Sequence, residues 1–563
     1  MPYEYEVDGK KITLDAAENL IGVRYKEPAP HSARAEHAQR LGAQYEQRFE
    51  VPNEKYTVLR TPENGAASPP RPNSAAPTDT RVARFTPVFN LGKTKVLATD
   101  RVLVGLSNPD EPIAPLLRNL GTVNVDSRGY GEYTVHLAED VDPLAAAKQL
   151  AQSPQVAYAE PDFVNIGSEA HADAPRDNLD LVKQRRPLLA GAPAPAAKAL
   201  AIELTPETIS IRDYLHHVTI SRLAEPAGDL KPIDRKQDAF DGAGQANRSL
   251  PYAAAITMAD KAWELQAGDP GVRIAILDEG VDTRHPDLRP SIVASYDSAD
   301  GDEFQEPNPW DGHGTACAGL AAGLRSNANG VRGIGAGCSI MAVRIAYSEQ
   351  PGGPWVTTNS GIARAVDWSW RNHADVLSNS WGGGAPSNAI VRAFNRARTH
   401  GRKGKGCVIV VACGNDAREV SFPANVAGVL SVSATNEYDE FKTKDSRDGE
   451  DWWGSNFGPE VSIGAPGVHN YTTDITGVSG YNSGGDYFEA FNGTSAATPL
   501  VAGACALLVS AKPGLTESEI RRTLEKSADK VGATAYTGGR NDQLGFGRLN
   551  VFNALSAVLD KQA

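Results

Sequence analysis

Cysteine is scarce: five in 563 residues, Cys317, Cys338, Cys407, Cys413 and Cys505, with no CxxC pair and an odd one left over. That argues against a paired-thiol motif and suits a reducing compartment, where buried thiols behave as small apolar residues. No long basic cluster exists either. With 56 Lys and Arg against 69 Asp and Glu, the formal charge is −13, and no nucleic-acid partner is expected. The opening MPYEYEVDGKKITLDAAENLIG lacks a charged segment followed by an apolar core, and no stretch of it could span a bilayer. The expectation is a cytoplasmic protein with no membrane partner.

What the chain does contain falls into three parts. From residue 251 to 563, apolar runs (RIAILD, CVIVVACG, VLSVSAT) alternate with helical stretches (TNSGIARAVDWSWRNH, LVAGACALLV, TESEIRRTLEKSA). That alternation predicts an α/β domain with a parallel sheet and helices on both faces. Residues 168–250 are rich in Ala, Pro and charge, include Arg185–Arg186, and read as a partly ordered linker. Residues 98–167 read as strand, helix, strand, strand, helix, strand, a small ferredoxin-like α+β unit. Within residues 1–97, NLIGVRY, SARAEHAQRLGA and EKYTVLRT repeat its first half, with ENGAASPPRPNSAAPTDT in the place of a second helix.

Ser495 lies in FNGTSAATP, just before an apolar helix. A serine there is ordinarily a helix cap, yet a helix mouth also stabilises a developing oxyanion. Acyl transfer at serine further needs a base, a carboxylate to orient it, and oxyanion donors. Asp278 follows RIAIL at the carboxyl end of an expected strand, where open α/β sheets build their sites. His313 lies in DGHGTACAGLAAG and Asn415 ends VIVVACGN. Taken singly, each is a turn former, a cap or a scaffolding side chain.

Together, AILDEGVDTRHPDL, DGHGTACAGLAAG, SNSWGGG, VVACGN and FNGTSAATPLVAG, in the order Asp, His, Ser, resemble the subtilisin-like serine proteases, or subtilases. The resemblance implies a serine endopeptidase acting on protein or peptide substrates, with no cofactor required for its chemistry. Asp278, His313 and Ser495 would be its triad and Asn415 its oxyanion donor; a silent, binding-only relative is the rival. DEGVD, HGTACAG, SWG, TTD and GTSAATP lean toward the kexin and furin branch. That branch's acidic recognition residues are not found after SWG or Asn415, so its dibasic specificity is not expected, and neither is the β-rich domain that follows its protease.

By the family's pocket geometry, Ser380, Trp381 and Gly382 with Ala412, Cys413 and Gly414 would wall the first specificity pocket, Ser421 lying near its base and Asp416 near its rim. Asp287 and Asn327 match ligands of a structural calcium site. Cys317 would be a free buried thiol beneath the histidine. The 98–167 unit looks like a subtilase propeptide, with AYAEPDFV as the tail that lies in the substrate groove. It would act as an intramolecular inhibitor, released by self-cleavage or by an activating partner.

Overall fold

The computed structural model describes residues 2–27, 29–41, 43–51, 55–61, 80–167, 252–299, 301–325 and 330–559. The expected linker, with Arg185–Arg186, lies outside them.

The N-terminal strands are β1 (Tyr3–Val7), β2 (Lys10–Tyr25), β3 (Gln44–Val51), β4 (Tyr56–Arg60), β5 (Val82–Leu91), β6 (Thr94–Leu106), β7 (Thr122–Gly129), β8 (Glu132–Leu137) and β9 (Val156–Ile166). β6 to β9, with the helices Ala114–Leu117 and Pro143–Ala151, follow the strand and helix order read from the sequence. The sheet runs β9, β6, β8, β7, all antiparallel. Pro143 begins its helix where its missing N–H costs nothing, and Asp142 caps it by accepting from the Leu144 N–H. Val102, Val104 and Val135 pack against Ala147 and Leu150 of that helix.

β6 also continues through residues 97 and 98, where the sequence reading placed a boundary. Its first half pairs with β5, and β5 with β2, so β1 to β9 share one sheet. NLIGVRY lies in β2, SARAEHAQR in the helix His31–Arg40 and YTVLR in β4.

The larger unit holds β10 (Arg273–Asp278), β11 (Ile292–Asp297), β12 (Ser339–Arg344), β15 (Val376–Asn379), β16 (Val408–Ala412), β17 (Leu430–Thr435) and β18 (Val461–Pro466). They form a seven-stranded sheet in the order β11, β12, β10, β15, β16, β17, β18, parallel throughout. The apolar runs lack polar alternation because both faces are covered. In β10, Ile274 and Ile276 pack toward the helices His313–Ala322 and Thr494–Ala511; Ala275 and Leu277 pack toward Asn359–Arg371 and Asn388–Gly404. The helix Thr494–Ala511 is long and apolar enough to cross a membrane, and it is buried in this core. Two short pairs remain: β13 (Tyr347–Ser348) with β14 (Trp355–Thr358), and β19 (Asn470–Thr473) with β20 (Tyr487–Phe491).

β14 joins the two units. It pairs antiparallel with β9, Val356 opposite Ile166 and Thr358 opposite Val164, so the N-terminal sheet continues onto the edge of the α/β unit.

Candidate active site

Asp278 is the last residue of β10, and His313 is the first of its helix. Both are buried, and the His313 Nδ1–H donates to Asp278 Oδ1 at 2.8 Å, which makes Nε2 the nitrogen that can take a proton. The same carboxylate oxygen accepts the Glu279 N–H at 2.9 Å. Glycine at 314 lets the strand end approach the helix: a Cβ there would lie 2.1 Å from the Gly280 carbonyl oxygen. Trp355 and Phe491 meet the imidazole edge-on, at 6.0 and 5.3 Å between ring centres.

Ser495 is not the helix cap. Gly493, at φ 105°, occupies that position, and Ser495 sits inside the first turn. Its Oγ donates to the Ser380 carbonyl at 3.0 Å, while the Ser380 hydroxyl donates to the Ser495 carbonyl at 3.0 Å. Cys317 lies between His313 and Ser495, its Sγ 3.8 Å from His313 Nδ1 and 3.7 Å from the Ser495 carbonyl oxygen. Burial and then the Asp278 charge push its thiol well above the ordinary range, so it stays protonated. Asp278, His313 and Cys317 bring ligand atoms within 4.8 Å of one another, but the first two are already committed to each other by a hydrogen bond.

Asn415 follows β16. Its Oδ1 accepts from the Thr494 N–H at 2.8 Å and the Thr494 hydroxyl at 2.9 Å, so the amide nitrogen is the end turned away from Thr494. Sequence reasoning missed Thr494, although it adjoins Ser495 in the quoted motif.

The expected pocket residues come together around two glycines. A Cβ at Gly382 would lie 3.3 Å from Ser421 Oγ and one at Gly414 3.0 Å from it, so larger residues would close this space. Gly414 also needs its positive φ of 110°. Ala412 ends β16 and Trp381 is buried among Ile362, Ile390 and Phe422. Cys413 faces away: its Sγ lies 3.2 Å from the Asn456 carbonyl, and burial pushes its thiol up to about 12. Asn456, absent from the sequence reading, ties this loop together by donating to the Cys413 carbonyl and accepting from the Asp416 and Arg418 N–H groups. The Asp416 carboxylate is not an open rim charge, since Lys93 Nζ from the N-terminal unit lies 2.7 Å away.

For calcium, Asp287 is buried and its Oδ2 accepts the Val331 N–H at 2.7 Å. Asn327 lies outside the described residues.

The N-terminal unit meets this site through β9. Glu160 accepts from Ser387 Oγ and from the Asn388 and Ala389 N–H groups at the start of one helix. Asp162 accepts the Ser360 N–H at the start of another. Asn165 accepts the Ala385 N–H at 2.7 Å and donates to Asn359, and the Gly167 N–H donates to the Trp355 carbonyl at 2.7 Å. AYAEPDFV held the signal for both caps, two carboxylates spaced to share one face of a strand.

The subtilase family profile matches residues 269–547. Thermitase of Thermoactinomyces vulgaris is 33% identical over 308 residues, 54% of this chain and 96% of the relative. A calcium-dependent protease of Nostoc sp. is 28% identical over 570 aligned residues, 93% of this chain and 80% of its own length. The crystal structure of fervidolysin from Fervidobacterium pennivorans, a keratinolytic enzyme related to subtilisin, superposes with a TM-score of 0.54 at 22% identity, covering 82% of this chain and 61% of that one.

Proposed function

The chain belongs to the subtilase family and is a serine endopeptidase; from that premise we propose that Asp278, His313 and Ser495 are its triad and that its N-terminal region holds it latent. The observation that carries the triad is the buried Asp278–His313 hydrogen bond. Ser495 Oγ attacks the scissile carbonyl carbon as His313 Nε2 takes its proton, and Asp278 stabilises the imidazolium. The oxyanion is met by the Ser495 N–H and the Asn415 amide, whose orientation is set before substrate arrives. His313 then gives the proton to the leaving amine, and water resolves the acyl-enzyme by the reverse steps.

Latency rests on β9. Val164, Asn165 and Ile166 pair with β14 on one edge and with Leu97, Val96 and Lys95 of β6 on the other. A substrate strand that docks by adding to β14 has no free edge while β9 lies there. Asn165 and Gly167 also line the apolar cleft with Trp381, Gly382 and Gly384. Release by self-cleavage or by an activating partner would open that edge.

For specificity, the glycines and Ser421 make a neutral pocket suited to medium side chains. Asp416 can favour a Lys or Arg once Lys93 leaves. The motifs lean toward the kexin and furin branch, but strict dibasic selectivity is not part of this reading. A peptide-library profile that demands paired basic residues would contradict it. Asp287 offers one buried carboxylate to a structural calcium ion, a hard cation suited to oxygen ligands. Such an ion would brace the neighbouring loop and take no part in the chemistry.

The triad assignment is tested with Ser495→Ala, which should lose cleavage by roughly 10⁴–10⁶-fold and lose labelling by a serine-directed phosphonate. Cleavage that survives in Ser495→Ala rules out Ser495 as nucleophile. A folded wild type that never labels, even with the N-terminal region removed, points to a silent binding protein.

A further inference from the structure

Glu279 follows Asp278 in DEGVD, is buried, and has no part in the triad chemistry. Its Oε1 accepts the His313 backbone N–H at 2.6 Å, and its Oε2 accepts the Trp355 indole N–H. Both partners are pure donors, an arrangement that suits a carboxylate anion. One contact fixes the first residue of the histidine helix, where a helix end favours negative charge. The other fixes β14, whose Trp355 carbonyl receives the Gly167 N–H and whose edge holds β9. Trp355 also stands edge-on to the imidazole. Base and substrate-receiving strand are therefore joined through one side chain.

We propose that Glu279 is a positioning residue that couples the seat of His313 to the edge strand on which substrate lies. The inference rests on His313 being the general base. Its buried charge also favours the imidazolium that forms during acyl transfer. Among the described residues, Asp278, bonded to Nδ1, and Cys317, held as a thiol, also lie against His313, and the buried Asp474 lies beside Gly312, its chain neighbour. Asp311, two residues before it, is turned to the Ser348 N–H and to Asn308. Removing the Glu279 charge takes one buried anion from the seat of His313 and leaves the Asp278 bond to Nδ1 in place.

The test uses full-length Glu279→Gln, Glu279→Ala and Trp355→Phe, assayed at the plateau of activity, with phosphonate labelling and thermal unfolding measured for each. Glu279→Gln keeps the acceptor for the His313 N–H and loses the charge. Its acid limb in kcat/KM should move to lower pH by about half a unit or more. Glu279→Ala loses both contacts and should lower kcat at least tenfold, a loss that Gln partly restores. Trp355→Phe keeps the charge, so its acid limb should stay in place while KM rises severalfold. Folded variants that label at Ser495 and keep the wild-type acid limb and kcat overturn the role of Glu279. A folded wild type that does not label overturns the triad reading instead.

Discussion

At the scale of single residues, the chemistry depends on orientation set by neighbours. Asn415 can serve the oxyanion because Thr494 takes its carbonyl oxygen with two hydrogen bonds. Asn415→Ala should therefore lower kcat by roughly 10²–10³-fold with little change in KM, measured on a chromogenic peptide at saturation. A loss carried mainly by KM would place Asn415 in ground-state binding. Cys317 leads to the opposite expectation. Its thiol is buried and held protonated, so Cys317→Ala should keep turnover within a few-fold and still label at Ser495. Asp278, His313, Ser495 and Asn415 stand out in the sequence as candidates because the chemistry demands those residue types and motifs flank each one. Glu279, Thr494 and Asn456 were not, because their roles follow from contacts across the chain, between the ends of different strands and helices.

At the scale of elements, the N-terminal unit binds as a strand with two carboxylates aimed at helix starts. Glu160 caps Asn388–Gly404 and Asp162 caps Asn359–Arg371, contacts worth about 0.5–2 kcal/mol each. Burial raises Glu160 from 4.5 to about 7, against the lowering by Ser387 Oγ and the Asn388 and Ala389 N–H groups. A pKa raised on docking means that docking takes up a proton. This contribution is fully present below the ordinary value of 4.5 and is lost as pH rises through about 7. Onset of activity should then be faster at pH 8 than at pH 5, after correction for the released enzyme's own profile. Glu160→Gln should flatten that difference, and an unchanged pH dependence would show that Glu160 does not govern release. The elements themselves were largely legible: unbroken apolar runs marked the parallel strands, and TESEIRRTLEKSA marked a helix that the structure forms over Glu517–Ser527. The pairing of β5 with β2 and with β6 was not, since register between distant strands leaves no local signal. The cap assigned to Ser495 failed because Gly493 can take a backbone conformation that serine rarely adopts.

At the scale of the whole molecule, one sheet runs from the first strands to the edge of the catalytic unit, so the N-terminal strands β1 to β9 are held at several points and not by a tail alone. Tyr5 donates to the Pro386 carbonyl, the Asn388 side chain meets Glu6 and Asp8, and Lys93 meets Asp416. The exposed Lys93 pair adds at most about 1 kcal/mol, so Lys93→Glu should shorten the lag before activity only a few-fold, with the effect shrinking at high salt. No shortening at low salt would show that the pair contributes nothing to latency. We propose that a competent Ser495 is kept from substrate by the chain's own N-terminal strands. The most direct test is to treat full-length protein with a serine-directed phosphonate over time, following intact mass and the labelled peptide together. A label at Ser495 should grow in step with cuts between residues 168 and 251, with no such cuts in Ser495→Ala unless an active copy is added. Rapid, complete labelling of Ser495 on uncut chains, or a label on any other residue, would contradict it.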